Sequence, residues 1–405
     1  MPSRWIIGLA TGSSANCVDA VLLELQGIGL DLRLQQLHGL HQPIPSELRT
    51  LLQRVRTGPV EPREVSQLHR LLGETYASAA RAVADSASQS LARVHCIGCA
   101  GYTVGDDPDS RFPSTLALGM SAVLAERCGV TVVSDFRSRD LAAGGQGTPL
   151  SALPDHVLFR HPRQSRLLLH LGSMSHLVYL PANGRLHEMI ALEAGPCNLL
   201  LDALIQWLTA GKEAYDAGGK RAVQGRCVEP LLQEWLSHPV LQRRPPRCLP
   251  SQAFGKDFAI AAVHQIRQYE GGLHDLLCTA THFVARCISL AYKRFLPSQA
   301  KVDEVLLSGG GTRNGFLWHL LEQQFTGHSL ARTDQVGIPA ELRQVIGHAL
   351  LAALTLDGVP SNVPGATGAA GSRLLGSLTP GSSANWARCL QWMCQQATVA
   401  TPVLR

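Results

Sequence analysis

The 405-residue sequence predicts an α/β protein of two lobes, built from mixed sheets flanked by helices with an interdomain cleft. Three observations carry that expectation. The chain is too long for one compact core of ordinary size. Strand-like apolar runs alternate with helical patterns along its length. A strand, small-residue turn, strand plan occurs near residue 12 and again near residue 172, as a duplicated two-lobe protein would show.

In order, Ile6 to Leu25 reads as two short apolar runs joined by a Gly/Ser turn, and a third run through Leu30 to Leu40 completes an antiparallel meander. Helical patterns follow over Glu47 to Arg56 and Val65 to Leu91, the second placing Leu68, Leu71, Leu72 and Tyr76 on one buried face. Val94 to Cys99 is a buried strand ending near Gly101. A helix over Met120 to Cys128, closed by Gly129, precedes a strand over Val130 to Ser134, the order of a crossover onto a parallel sheet. The plan then restarts with strand-like runs Arg166 to His170 and Leu177 to Leu180 and a helix Leu199 to Thr209. Later come a long helix Leu276 to Leu296, a strand Glu304 to Leu307, helices Asn314 to Phe325 and Glu341 to Leu356, and a Pro/Gly-rich connection Pro360 to Gly371. The expected lobes are 1–140 with 366–405, and 141–365.

Composition bounds the function. With 45% hydrophobic and 17% charged residues, the chain has the profile of a globular protein with a substantial interior. Its net charge of +5 is small and scattered, a mild preference for anions such as nucleotides and no case for a nucleic-acid partner. Met1 to Ala10 lacks the long apolar region of a signal peptide. No run approaches the roughly 20 apolar residues of a membrane span, since His170, Gly172, Ser173, Ser175 and His176 break Leu167 to Leu180. A cytoplasmic protein without a membrane partner is expected, and the 11 cysteines form no disulfide framework.

Three glycine turns could carry chemistry. Gly12-Ser13-Ser14 lies between two strands, the second bearing Asp19; small residues let backbone N–H groups approach a phosphate, and the carboxylate could hold magnesium. The bland alternative is a plain hairpin. Gly309-Gly310-Gly311-Thr312-Arg313-Asn314 joins a strand to a helix and leaves room for a ligand against the backbone. It is neither a Walker loop nor a dinucleotide fingerprint. Gly144-Gly145-Gln146-Gly147-Thr148-Pro149 follows Asp135, Arg137, Arg139 and Asp140, a charged neighbourhood suited to a sugar or simply to solvent. Cys96-Ile97-Gly98-Cys99 has no second pair to complete a metal site. His38 and His41 point to opposite faces of a strand and read as surface histidines.

In this order and spacing these segments resemble the anhydro-N-acetylmuramic acid kinase family. Gly8 to Asp19 resembles its opening GxMSGTSxDGxD. Asp135 to Asp140 with the following GGQGTPL resembles DFRxxDxAxGGQGAPL. Glu193-Ala194-Gly195-Pro196-Cys197-Asn198, continued to Asp202, resembles DTGPGNxLxD, and Ser308 to Asn314 resembles the nucleotide turn CGGGxxN. Thr367-Gly368 and Leu375-Gly376 resemble its C-terminal pattern. The resemblance implies an actin/hexokinase-type fold with ATP and Mg2+ in the cleft, ring opening of a 1,6-anhydro amino sugar by water, and transfer of the γ-phosphoryl to O6. It assigns Glu193 as the catalytic carboxylate. Nucleotide contacts fall to Gly12, Ser13, Ser14, Asp19, Gly172, Ser173, Gly309, Gly310, Gly311 and Asn314, with Asp19 toward magnesium. Sugar contacts fall to Arg137, Asp140, Gly145, Gln146, Gly147, Thr103 and Asn198. Family members suggest a homodimer.

Several positions depart from the pattern. Glu193 replaces Asp and moves a base by more than about 1 Å, which can cost roughly 100-fold. Asn16 and Cys17 replace Asp and Gly. Ala100 and Tyr102 stand where GCHGQT has His and Gln, PPKSTGRExF has become 245–254, and NIGGxAN has become His170 to His176. Two readings follow: an active sugar kinase, or a kinase homologue that binds nucleotide or sugar as a sensor or scaffold without turnover.

Overall fold

The computed structural model describes residues 3–397. Two compact units emerge: one reaches Val157 and resumes at Leu342, and the other is Leu158–Glu341.

The first unit opens with the meander β1 (Ser3–Thr11), β2 (Cys17–Gln26) and β3 (Arg33–Pro43), paired antiparallel in sequence order. Helices α1 (Ser46–Thr57) and α2 (Pro62–Ser86) follow, and α2 turns Leu68, Leu72, Tyr76 and Val83 into the core. Then come β4 (Val94–Cys99), the small hairpin β5 (Tyr102–Asp107) and β6 (Ser114–Leu118), α3 (Ser121–Cys128), β7 (Thr131–Ser134), α4 (Ser138–Ala142) and α5 (Ala152–Phe159). Gly129 ends α3 in the left-handed conformation at φ 66°, which costs glycine no Cβ strain. β4 lies parallel to β1, and β7 parallel to β4.

In the second unit the meander recurs as β8 (Arg166–Leu171), β9 (Met174–Leu180) and β10 (Ile190–Pro196). Helices α6 (Asn198–Leu208), α7 (Glu229–Leu236), α8 (Lys256–Gln268) and α9 (Leu273–Phe295) precede β11 (Glu304–Ser308), α10 (Gly315–Gln324) and β12 (Leu330–Arg332). β11 pairs parallel with both β8 and β12. Leu200, Leu204 and Ile205 of α6 and Phe283, Val284 and Ile288 of α9 share one apolar core with Leu167, Leu169 and Leu192 of the sheet.

The chain returns to the first unit as α11 (Arg343–Leu356), α12 (Pro364–Thr367), β13 (Ser377–Thr379) and α13 (Ser383–Ala397). The two main sheets have the orders β13-β7-β4-β1-β2-β3 and β10-β9-β8-β11-β12. Each is a three-stranded antiparallel meander whose first strand carries parallel partners on its other side. Setting aside the added edge strand β13, the plan is the same twice, so the predicted duplication is real and the fold is the α/β repeat of actin/hexokinase-type proteins.

The unit boundaries differ from the expected 140/141 and 365/366. Residues 141–157 and 342–365 belong to the first unit; the second stretch carries α11, which packs on β1 and β4. A Cβ at Gly8 or at its register partner Gly98 would strike the backbone carbonyls of Val345 and His348. Those two glycines let a helix lie directly on the sheet.

Candidate functional site

The β1–β2 hairpin turns tightly, with Ala15 donating to the Gly12 carbonyl at 2.9 Å. Its other carbonyls are held by side chains. Ser13 O accepts from Tyr102 Oη (3.1 Å) and Arg56 Nη1 (3.0 Å), and Ser14 O accepts from Gln53 Nε2 (3.1 Å). Burial pushes the Tyr102 phenol above its ordinary pKa, so it stays a neutral donor. A carbonyl oriented by such a donor does not present its negative end to an anion on the far side of the turn. Sequence reasoning counted Tyr102 as a lost amide and missed this brace, whose partners lie on α1 and β5, far along the chain.

Asp19 lies two residues beyond Cys17 on β2 and opposite His41 on β3. Its Oδ1 is 2.6 Å from His41 Nδ1 and accepts from Cys17 Sγ at 3.2 Å. The β2–β3 register therefore gives His41 a partner that spacing within β3 could not reveal.

β5 joins the turn to the second glycine loop. Tyr102 begins the strand, half-buried Thr103 follows opposite Ala117, and Asp106 Oδ2 accepts from Arg137 Nη2 at 2.7 Å. Arg137 Nε also donates to the Gly147 carbonyl at 3.0 Å. Asp140 corrects its expected role. It is 0% exposed, and its oxygens accept from Gly147 N (2.8 Å), Asn362 Nδ2 (2.7 Å) and Thr367 Oγ1 (2.7 Å). Asp140 therefore holds the loop together instead of presenting itself to a sugar. Gly145 is small because a Cβ there would meet that carboxylate, and Gly147 sits at φ 69°. Gln146 N donates to Thr367 O at 2.8 Å, which fixes the loop from its other side.

In the second unit the β8–β9 turn is held by the backbone. Gly172 O accepts from Asn198 N, and Ser173 O from Cys197 N and Leu199 N, at 2.9–3.1 Å. The first donors of α6, which a helix start leaves without intrahelical partners, are thus used on the turn. Asn198 Nδ2 donates to Leu171 O at 3.1 Å, and its amide lies beside Gly310 and Gly311 of the triple-glycine turn. In that turn Gly309 has φ 87°, and a Cβ on Gly309 or Gly311 would strike Leu171; packing accounts for both. Gly310 differs, with nothing nearer than the Asn198 amide at 3.8 Å, and Gly12 of the first unit has nothing within 4 Å. Asn314 is engaged as the cap of α10, its Oδ1 accepting from Leu317 N at 3.0 Å. Asp202, on α6, makes no hydrogen bond among the described residues, and burial raises its carboxyl to about 7.

Glu193 is 5% exposed on β10, where the pairing with β9 shifts register between Glu193 and Gly195. Its Oε2 accepts from Leu249 N at 2.6 Å, and Oε1 lies 3.6 Å from His176 Nε2. Arg247 pins the same bend. Its guanidinium donates to the carbonyls of Glu193 (2.7 Å), Ala194 (2.9 Å), Leu241 (3.0 Å) and Arg243 (3.0 Å), and burial lowers it only to about 10, so it remains a cation. Segment 245–254, which departs from the family's PPKSTGRExF, thus holds the carboxylate. A carboxylate held by a backbone N–H and flanked by an imidazole can take a proton from water.

The family model described as anhydro-N-acetylmuramic acid kinase matches residues 4–381. A protein of Gloeobacter violaceus named anhydro-N-acetylmuramic acid kinase is 36% identical over 379 residues, covering 92% of this chain and 98% of that protein. One of the same name from Acaryochloris marina is 34% identical, covering 92% and 99%, and one from Bacillus cereus is 33% identical, covering 93% and 99%.

Proposed function

The chain belongs to the anhydro-N-acetylmuramic acid kinase family of sugar kinases, and from that premise we propose that it opens the 1,6-anhydro ring of anhydro-N-acetylmuramic acid and phosphorylates O6 with ATP. Water adds to the anomeric carbon as the C1–O6 bond breaks. O6 then takes the γ-phosphoryl, the bond to the β-phosphate breaks, and ADP and N-acetylmuramic acid 6-phosphate leave. Glu193 accepts the proton of the attacking water; its fixed carboxylate is the observation that carries this reading. Gly12 and Gly310 support the nucleotide assignment, since neither packing nor positive φ demands glycine there and close approach of a ligand does. Thr103, Arg137 and the Gly145–Gly147 loop are assigned to the sugar. Both substrates are small and soluble, in keeping with a cytoplasmic enzyme; no described helix is long and apolar enough to cross a membrane.

A divalent ion accompanies ATP in such transfers, but Asp19 does not suit magnesium. Its partners are an imidazole and a thiol, whereas magnesium takes oxygen ligands.

The test is single-turnover transfer from labelled ATP to a panel of anhydro and ordinary amino sugars, with ring opening followed by oxygen-18 from water. Wild type should phosphorylate the anhydro sugar and carry the label at C1. Glu193→Gln should lose roughly 10²- to 10⁴-fold in rate, the usual scale of a general base, while calorimetry shows ATP still bound. Nucleotide binding by wild type with no transfer to any sugar would decide for the non-catalytic sensor or scaffold, a reading favoured by Asn16 in place of the family's acid.

A further inference from the structure

We propose that Cys17, Asp19 and His41 form a transition-metal site, of the kind that takes Zn2+, beside the Gly12–Ser14 turn. Cys17 and Asp19 alternate along β2 and so share a face of the sheet, and His41 is the cross-strand partner of Asp19, within side-chain reach on that same face. The thiol sulfur, a carboxylate oxygen and an imidazole nitrogen all lie within 4.8 Å of one another. Around a tetrahedral zinc ion such atoms stand roughly 3.3–3.6 Å apart, as follows from metal–ligand bonds of about 2.0–2.3 Å. The observed 2.6 and 3.2 Å lie within about 1 Å of that spacing.

Thiolate, imidazole and carboxylate together select a borderline-soft ion over magnesium or calcium. Three protein ligands leave the fourth position open, the arrangement of sites that bind an exchangeable water or substrate atom. Entry is provided for: the Asp19 side chain is 24% exposed and that of His41 42%. Binding displaces the thiol proton of Cys17 to solvent, so affinity falls as pH falls. The site does not depend on the kinase reading, because it can be loaded and observed without turnover.

The experiment titrates Co2+ alone into the metal-stripped full-length protein. The expected result is one tetrahedral Co2+ per chain with a near-ultraviolet thiolate-to-cobalt charge-transfer band, displaced by Zn2+. Cys17→Ser should abolish the band. His41→Gln should weaken binding roughly 10- to 100-fold, a loss that even an outer-shell partner of a metal can produce. No band in wild type, or an equal band in Cys17→Ser from another of the cysteines, overturns the site. Should either variant fail to fold, alkylation of wild type decides instead: Zn2+ must protect Cys17 from iodoacetamide in peptide mass spectra, and labelling unchanged by Zn2+ is the opposing result.

Discussion

The two glycine turns that open the two meanders occupy the same topological place and are built by different means. In the first unit the carbonyls of Ser13 and Ser14 are held by Gln53, Arg56 and Tyr102. In the second, the carbonyls of Gly172 and Ser173 are held by backbone N–H groups of residues 197–199. A backbone clamp survives any substitution that leaves α6 folded, whereas a side-chain brace is as durable as its residues. Single substitutions should therefore disturb the first unit's loops more than the second's.

Asp140→Ala is the largest test of that difference. It strands three interior donors, Gly147 N–H, Asn362 and Thr367, and each unsatisfied buried group is costly. The expected destabilisation is about 3–5 kcal/mol, from three buried donors losing their acceptor at about 1–3 kcal/mol each, read from the denaturant midpoint at constant m. A loss below about 1 kcal/mol, within the range of an ordinary substitution, would break the contrast.

The second unit has its own exposure to chemistry, through burial instead of partners. Asp202 is raised from 3.8 to about 7 by burial, so the folded state binds its proton more tightly than the unfolded state does. The penalty for ionising it is absent below pH 4, grows between the two values and is complete above pH 7, where it reaches up to about 4 kcal/mol by linkage. Asp202→Asn should leave thermal stability unchanged near pH 4 and raise it progressively from pH 5 to pH 8. A gain independent of pH would show that the carboxyl is not the cause.

The duplicated fold was legible because it is written in local patterns: strand runs, a Gly/Ser bend between them, and a helix closed by Gly129. What long-range packing decides was not legible. Nothing near Asp140 in sequence announces Asn362 and Thr367 as its partners, so a charged residue beside a glycine loop read as a ligand contact when it is the loop's own anchor. Gly309 and Gly311 read as room for a ligand, though Leu171, more than a hundred residues away, fills that room. His41 is the surface residue that strand spacing makes it, but the register that sets it against Asp19 belongs to a pair of strands and could not be read from β3 alone. Arg247 was given no role from the sequence, because its acceptors are main-chain carbonyls, which carry no residue identity.

The smallest effect is the sharpest comparison. Tyr102→Phe removes one donor from Ser13 O and leaves Arg56 in place, a net loss of about 1 kcal/mol for a single hydrogen bond, or roughly fivefold in ATP affinity. The corresponding change in the second unit is Cys197→Ala, which alters a side chain at the clamp yet keeps all three backbone donors to Gly172 and Ser173. Calorimetry should show ATP affinity within about twofold of wild type for Cys197→Ala, a difference of roughly 0.4 kcal/mol. Tyr102→Gln, carrying an amide donor in place of the phenol, distinguishes the lost hydrogen bond from the lost ring: recovery of affinity relative to Tyr102→Phe assigns the effect to donation. Equal losses from Tyr102→Phe and Cys197→Ala would mean that the two turns are braced alike after all, because a side chain beside the backbone clamp would then matter as much as one that makes the brace.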